Sequence, residues 1–217
     1  MDPVLVVSPH LDDAVLSVGQ YLECWPGITV LTVFAGMPDE EKYTTFDVNC
    51  GFAGSTMALT ARWHEDDRAL RVLNAKPYRL DHIDNQYRTG EVDMDKMIPQ
   101  IVAAYNSCGA IKMVAPLGLM HVDHELTARA CGEAARRLQC EFWTYEDIPS
   151  RVTNPESVAP ALLGYANQGW AAELSFLGNG DIVKKEEAVK CYTSQQWALD
   201  PHHLYVPERV YRMTRTS

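Results

Sequence analysis

The chain has 217 residues, 47% of them hydrophobic and 22% charged, a balance that suits a soluble globular protein with one sizeable core and a single domain over residues 1–217. Its formal net charge of −10 argues against nucleic acid and against an anionic membrane surface as partners, since both need basic groups. No apolar run approaches a membrane span, Asp2, Asp12 and Asp13 spoil a secretory signal, and six scattered cysteines without a CxxC pair suit a reducing, cytoplasmic setting.

Val4 to Val7 is an apolar run that predicts a buried strand, and Ala14 to Gly19 opens a helix. Ile28 to Phe34, rich in β-branched residues, predicts a second strand. Asp39 to Ser55 has no period and is expected to be a long, functional loop. Amphipathic spacing predicts a helix from Thr56 to Asn74, then a short strand from Pro77 to Leu80. A helix from Asp93 to Asn106 follows, weakened early by Pro99, and Lys112 to Ala115 forms another buried strand. Asp123 is expected to cap a helix running to Leu138, followed by a strand from Glu141 to Tyr145. Ser150 to Gly169, with its prolines and glycines, reads as loop. Ala172 to Phe176 is a candidate strand, Asp181 to Tyr192 a Lys- and Glu-rich helix, and Arg209 to Met213 a final edge strand. Strands alternating with helices imply an α/β fold, a mostly parallel sheet covered on both faces.

Ser8-Pro9-His10-Leu11-Asp12-Asp13 falls where the first strand ends, the edge at which open α/β sheets bind ligands. Imidazole and carboxylate are natural ligands for zinc. Neighbouring side chains in a turn point different ways, so one aspartate can face a metal with His10 and the other a water that the metal activates. A second cluster, His121-Val122-Asp123-His124, follows the strand ending near Ala115 and opens a helix. There His121 and His124 share one side, and Asp123 can hold an imidazole tautomer. Both clusters then lie at the same sheet edge. Two His/Asp clusters at strand-to-helix turns favour a metal site over a pair of solvated caps.

Other chemistries lack their signatures. The first strand-to-helix turn carries carboxylates where a dinucleotide binder places glycines, and no Gly-x-Ser-x-Gly elbow appears. Two His and one carboxylate also suit an iron(II) oxygenase, although the extra carboxylate has no task there. A metal- or sugar-binding module without turnover is a further alternative.

Pro9-His10-Leu11-Asp12-Asp13 and His121-Val122-Asp123-His124 together resemble the paired signatures of the PIG-L/LmbE-like family of zinc-dependent de-N-acetylases. Arg62-Trp63-His64-Glu65-Asp66 resembles its Arg-x-x-Glu helix, and Leu80-Asp81 and Lys190 to Gln195 extend the likeness over most of the chain. The resemblance implies a Rossmann-like sheet and one zinc ion held by His10, Asp13 and His124. It implies Asp12 as general base, His121 as the group that stabilises the oxyanion or protonates the leaving amine, and Arg62 as a substrate contact. Asp123 beside His121 is expected to favour its imidazolium, and Asp84 and Tyr192 to join the substrate site. The expected substrate is an N-acetylated amino sugar or glycoconjugate, cleaved to acetate and a free amine. On the sugar that the resemblance implies, Trp143, Trp170, Trp197, Tyr43 and Tyr87 are candidates to stack on its face, and Asp81, His82 and Asp84 to bind its hydroxyls. A tyrosine found before the second motif in some members is replaced here by Leu117-Gly118-Leu119-Met120. The oligomeric state is open, a homo-oligomer included.

Overall fold

The computed structural model describes residues 3–22, 24–25, 27–175, 180–196 and 200–216. Seven strands form one sheet: β1 (Val4–Ser8), β2 (Thr29–Thr32), β3 (Lys76–Arg79), β4 (Lys112–Pro116), β5 (Glu141–Tyr145), β6 (Trp170–Ser175) and β7 (Val210–Arg215). Their order is β3-β2-β1-β4-β5-β7-β6. The first five in that order are parallel, and β7 runs antiparallel to both β5 and β6. Eight α-helices accompany them among the described residues: α1 (Asp13–Leu22), α2 (Thr45–Asn49), α3 (Ser55–Val72), α4 (Met94–Ser107), α5 (Val122–Leu138), α6 (Ile148–Thr153), α7 (Val158–Asn167) and α8 (Ile182–Val189).

Successive strand residues point to opposite faces, and both faces are covered. Leu5, Val7, Met113 and Ala115 pack against Ile101 and Ala104 of α4 and Ala130 and Ala134 of α5. Val4, Val6, Val30 and Val114 pack against α1, Leu70 of α3 and Ala188 of α8. A strand buried on both sides reads as an unbroken apolar run, which is why β1 and β4 are legible in the sequence.

Four expectations are corrected. His121, not Asp123, is the N-cap of α5. The stretch read as loop after Ser150 contains most of α6 and all of α7; Pro160 falls in the first turn of α7, where no intrahelical N–H is needed. The long loop before α3 holds the short helix α2, capped by Thr44 Oγ1. β7 is an interior strand rather than an edge, and β3 and β6 are the edges. Phe176, the end of the strand predicted from Ala172, lies outside the described residues.

Strand order fixes the site. The chain leaves β1 for β2 on one side, and β4 lies on the other. The carboxyl ends of β1 and β4 therefore flank the switch point, the crevice where such sheets bind ligands.

Candidate active site

The turn after β1 is locally tied. Ser8 Oγ donates to the His10 carbonyl at 2.6 Å and accepts the Ala14 N–H at 3.0 Å. Asp13 Oδ2 accepts the backbone N–H of His10 at 2.8 Å, which aims the carboxylate back across the turn. It stands 3.2 Å from His10 Nδ1 and 3.2 Å from His124 Nε2. Ligand atoms around a tetrahedral zinc-sized ion lie roughly 3.3 Å apart, given bonds near 2.0–2.1 Å. Asp13 Oδ2 thus stands at ligand-like spacing from both histidines of the sequence-predicted triad.

Each imidazole has its outer nitrogen on a buried carboxylate. His10 Nε2 lies 3.1 Å from Asp123 Oδ2, and His124 Nδ1 lies 2.6 Å from Asp147 Oδ1. Such partners fix the tautomer and leave the inner nitrogen free for an ion. Asp123 is itself held by the Asn85 N–H at 2.8 Å and by Arg88 at 2.5 Å. The expectation that its carboxylate serves His121 is therefore corrected: it serves His10. Once His121 occupies the N-cap, Asp123 falls in the first helical turn and its carboxylate turns toward β1.

His121 completes a cluster of three rings. Nitrogens of His10, His121 and His124 lie within 4.8 Å of one another, and a second group of His10, Asp84 and Asp123 is equally close. The first set shares His10 and His124 with the triad and the second shares His10, and two contacts bear on His121 and Asp123 as ligands. His121 Nδ1 accepts the Asp123 N–H at 3.2 Å, so a neutral His121 carries its proton on Nε2. Asp123 Oδ2 is already bonded to both His10 and Asn85.

Charge supports the same assignment. Burial opposes charge on His10, but Asp123 and Asp13 outweigh it and hold its pKa well above the usual value. Burial likewise opposes charge on His124, but Asp13 and Asp147 outweigh it and raise its pKa to about 10. Burial also opposes charge on Asp13, yet His124 and His10 hold its pKa well below the carboxylate range. In the metal-free protein, two protons hold the place of a divalent charge. Divalent metal binding should therefore release about two protons per ion, and the affinity should weaken as pH falls and those protons compete. Calorimetry in buffers of differing ionisation heat reads the proton count, and a count of zero would contradict the ligand set.

Asp12 points elsewhere. It is half-buried and lines the pocket, and its carboxylate makes no hydrogen bond among the described residues. Burial, then the charge of Asp13, raises its pKa to about 7, against the pull of His10, His124 and Arg62.

The pocket, a cavity of about 400 Å³, brings together His10, Asp12, Asp13, Arg62, Asp84, His121 and His124. Phe34, Phe46, Leu59 and Leu16 give it apolar walls, while Gln86, Ser150 and Gln195 add polar groups. Tyr192 is not among them. It is fully buried, and its hydroxyl bonds Asp66 at 3.1 Å, so its placement in the substrate site is corrected. The proposed sugar stackers fare similarly: Tyr87, Trp143 and Trp170 are buried, Tyr43 lies on a separate surface, and Trp197 is outside the described residues. Asp81 is exposed and paired with Lys96, and His82 is bonded to Gln100.

Arg62 is 5% exposed and bonds Asp47 at 2.7 Å and Tyr87 Oη at 3.1 Å, with its guanidinium over the rings of Phe46 and Phe52. Arg62→Ala would leave Asp47 buried beside only the Tyr87 hydroxyl. A loss of roughly 3–5 kcal/mol of stability is expected, as for other broken buried pairs. Urea unfolding measures it, and restoration by a matching Asp47→Asn change would identify the stranded charge as the cause.

Asp147, Asp47 and Arg88 were missed in the sequence. Asp147 had a signal, since Glu146-Asp147 directly follows a predicted strand at the same sheet edge. Asp47 and Arg88 had none, because their partners, Arg62 on α3 and Asp123 on α5, meet them only through tertiary docking.

Comparison with known proteins places this geometry. A search of curated protein sequences finds no match. The crystal structure of the A40926 pseudoaglycone deacetylase Dbv21 aligns over 99% of this chain and 98% of its own, at 26% identity and a TM-score of 0.77. A zinc-inhibited form of the teicoplanin deacetylase Orf2 aligns over 99% of each chain, at 22% identity and a TM-score of 0.80. The hydratase GalB from Pseudomonas putida KT2440 aligns over 100% of this chain and 98% of its own, at 16% identity and a TM-score of 0.67. One fold thus hosts hydrolysis and hydration, and the site rather than the fold must carry the activity. The sequence model described as PIG-L, GlcNAc-PI de-N-acetylase, matches residues 5–135, a span that holds both His/Asp clusters and the Arg62 helix. With that match over more than half its length, the chain belongs to the PIG-L family.

Proposed function

We propose that this protein is a zinc-dependent N-deacetylase that hydrolyses the N-acetyl group of an amino sugar or glycoconjugate to acetate and a free amine. The observation that carries the reading is Asp12: a carboxylate without a hydrogen-bond partner among the described residues, in the same pocket as His10, Asp13, His124 and His121. The deacetylases among the structural neighbours support it, and those of A40926 pseudoaglycone and teicoplanin point to a glycoconjugate.

His10, Asp13 and His124 would hold the ion. A divalent ion there supplies Lewis acidity, lowering the pKa of water and polarising a carbonyl. Asp12, with its pKa near neutrality, accepts the proton as water attacks the amide carbon. His121 donates its Nε2–H to the developing oxyanion. It does so as a neutral imidazole: burial, then the charges of His10 and His124, lowers its pKa, and Nδ1 is occupied by a backbone N–H. An imidazolium would set two N–H donors against each other. The proton returned to the departing amine is therefore the one on Asp12. Asp84, Gln86 and Gln195 offer hydrogen bonds to sugar hydroxyls, with Phe34 and Phe46 against the ring.

The test is a panel of N-acetylated amino sugars and glycoconjugates incubated with zinc-loaded protein, with acetate and primary amine both assayed. Equal amounts of the two are expected. Metal binding without release on any member would identify a binding module, and oxygen-dependent turnover with iron would identify an oxygenase.

A further inference from the structure

Asp147 follows β5 at the N-cap position of α6, where an aspartate ordinarily accepts an N–H of its own helix. It makes no such bond. Its fully buried carboxylate turns instead toward the connection between β4 and α5. Oδ1 meets His124 Nδ1 at 2.6 Å, while Oδ2 accepts the N–H groups of Gly118 at 3.0 Å and Leu119 at 3.2 Å.

That connection needs holding. Gly118 has φ +85°, and a Cβ there would meet the Ala128 Cβ at 2.7 Å. Met120, next to His121, has φ +63°, a conformation that costs a non-glycine residue about 1–3 kcal/mol. The N–H of Leu117 is fixed on the Tyr145 carbonyl at 2.7 Å, so the turn is anchored at its start. Asp147 anchors the next two residues.

We propose that Asp147 is a positioning residue that serves both halves of the site. It fixes His124 as the Nδ1–H tautomer, leaving Nε2 for the ion, and it pins the turn that presents His121. Three donors converge on it, and among the side chains only an ionised carboxylate accepts from all three without presenting a proton. An asparagine in its place must turn its NH₂ toward one of them. An aspartate that forgoes its own helix cap to make these bonds is placed for the site rather than for the helix. The inference rests on His124 being a metal ligand, as read above.

The test uses the full chain as wild type, Asp147→Asn and Asp147→Ala. Zinc affinity is measured by competition with a chromophoric chelator, the His124 tautomer by ¹⁵N NMR of labelled imidazole, and protection of the Gly118 and Leu119 amides by hydrogen exchange. The wild type should show Nδ1–H on His124 and slow exchange at both amides. The variants should bind zinc about 10–100-fold more weakly, the usual worth of such an outer partner. They should also exchange faster at Gly118 and Leu119. Wild-type zinc affinity in folded Asp147→Asn would overturn the proposal. So would a wild-type His124 lacking the Nδ1 proton, a measurement that does not depend on any variant folding. A wild type that binds no divalent ion would overturn the metal reading itself, and this inference with it.

Discussion

Asp12→Asn is expected to keep its metal and lose about two to four powers of ten in kcat, the usual worth of a positioned acid or base. The change is nearly isosteric, and Asp12 makes no hydrogen bond that the fold would miss among the described residues. His10, Asp13 and His124 keep their spacing, so the ion has no reason to leave. What is lost is a lone pair able to take a proton from water. Elemental analysis and single-turnover rates on the same preparation separate the two effects. Loss of metal in Asp12→Asn would exchange the roles of the two aspartates. Full activity would place the base elsewhere. The pH profile adds a position: Asp12 lies near 7 with His10 and His124 already cationic, and a divalent ion would replace those two charges, so the acidic limb of kcat/KM should stay near 7 in the loaded enzyme.

Asp13→Ala is the opposite case and should lose metal and activity together. Asp13 Oδ2 is the atom on which His10 Nδ1 and His124 Nε2 converge, and it also accepts the His10 N–H that shapes the turn. Without it, each imidazole keeps only one of its two carboxylate neighbours, Asp123 for His10 and Asp147 for His124, and the ion loses its one carboxylate ligand. Metal content after dialysis should drop to the background of the buffer. Retained metal in Asp13→Ala would remove Asp13 from the ligand set and bring His121 in, since its nitrogens are close enough to substitute.

The meeting of His10, Asp13 and His124 was legible because both motifs are contiguous and sit directly after strands that the sequence marks clearly. Adjacent residues such as Asp12 and Asp13 diverge in a turn, so their different surroundings were legible in kind. What escaped depends on tertiary docking. Whether Asp123 faces His10 or His121 turns on which residue caps α5, a matter of one position in backbone register. Tyr192 is drawn inward because α8 packs on the same sheet face as α3, which brings its hydroxyl to Asp66. Asp147 is a lone aspartate in sequence and gains meaning only when β5 is set beside β4. α7 was hidden by Pro160 and Gly164, residues that punctuate loops more often than they open or ride within helices.

The position of β7 has a consequence for how the molecule assembles. β7 follows every other strand in sequence, yet it lies between β5 and β6. During synthesis, the ribosome releases every residue that lines the pocket, the last of them Gln195, before Val210 appears. Until then β5 presents an open edge, and β6 has no strand to pair with. An unpaired strand edge recruits other chains. The interval between the emergence of Trp170 and that of Arg215, which pair in the finished sheet, is thus when a nascent chain is most exposed to aggregation and to chaperones. A deletion reaching Val210 would prolong that interval indefinitely while leaving the chemistry of the site intact on paper.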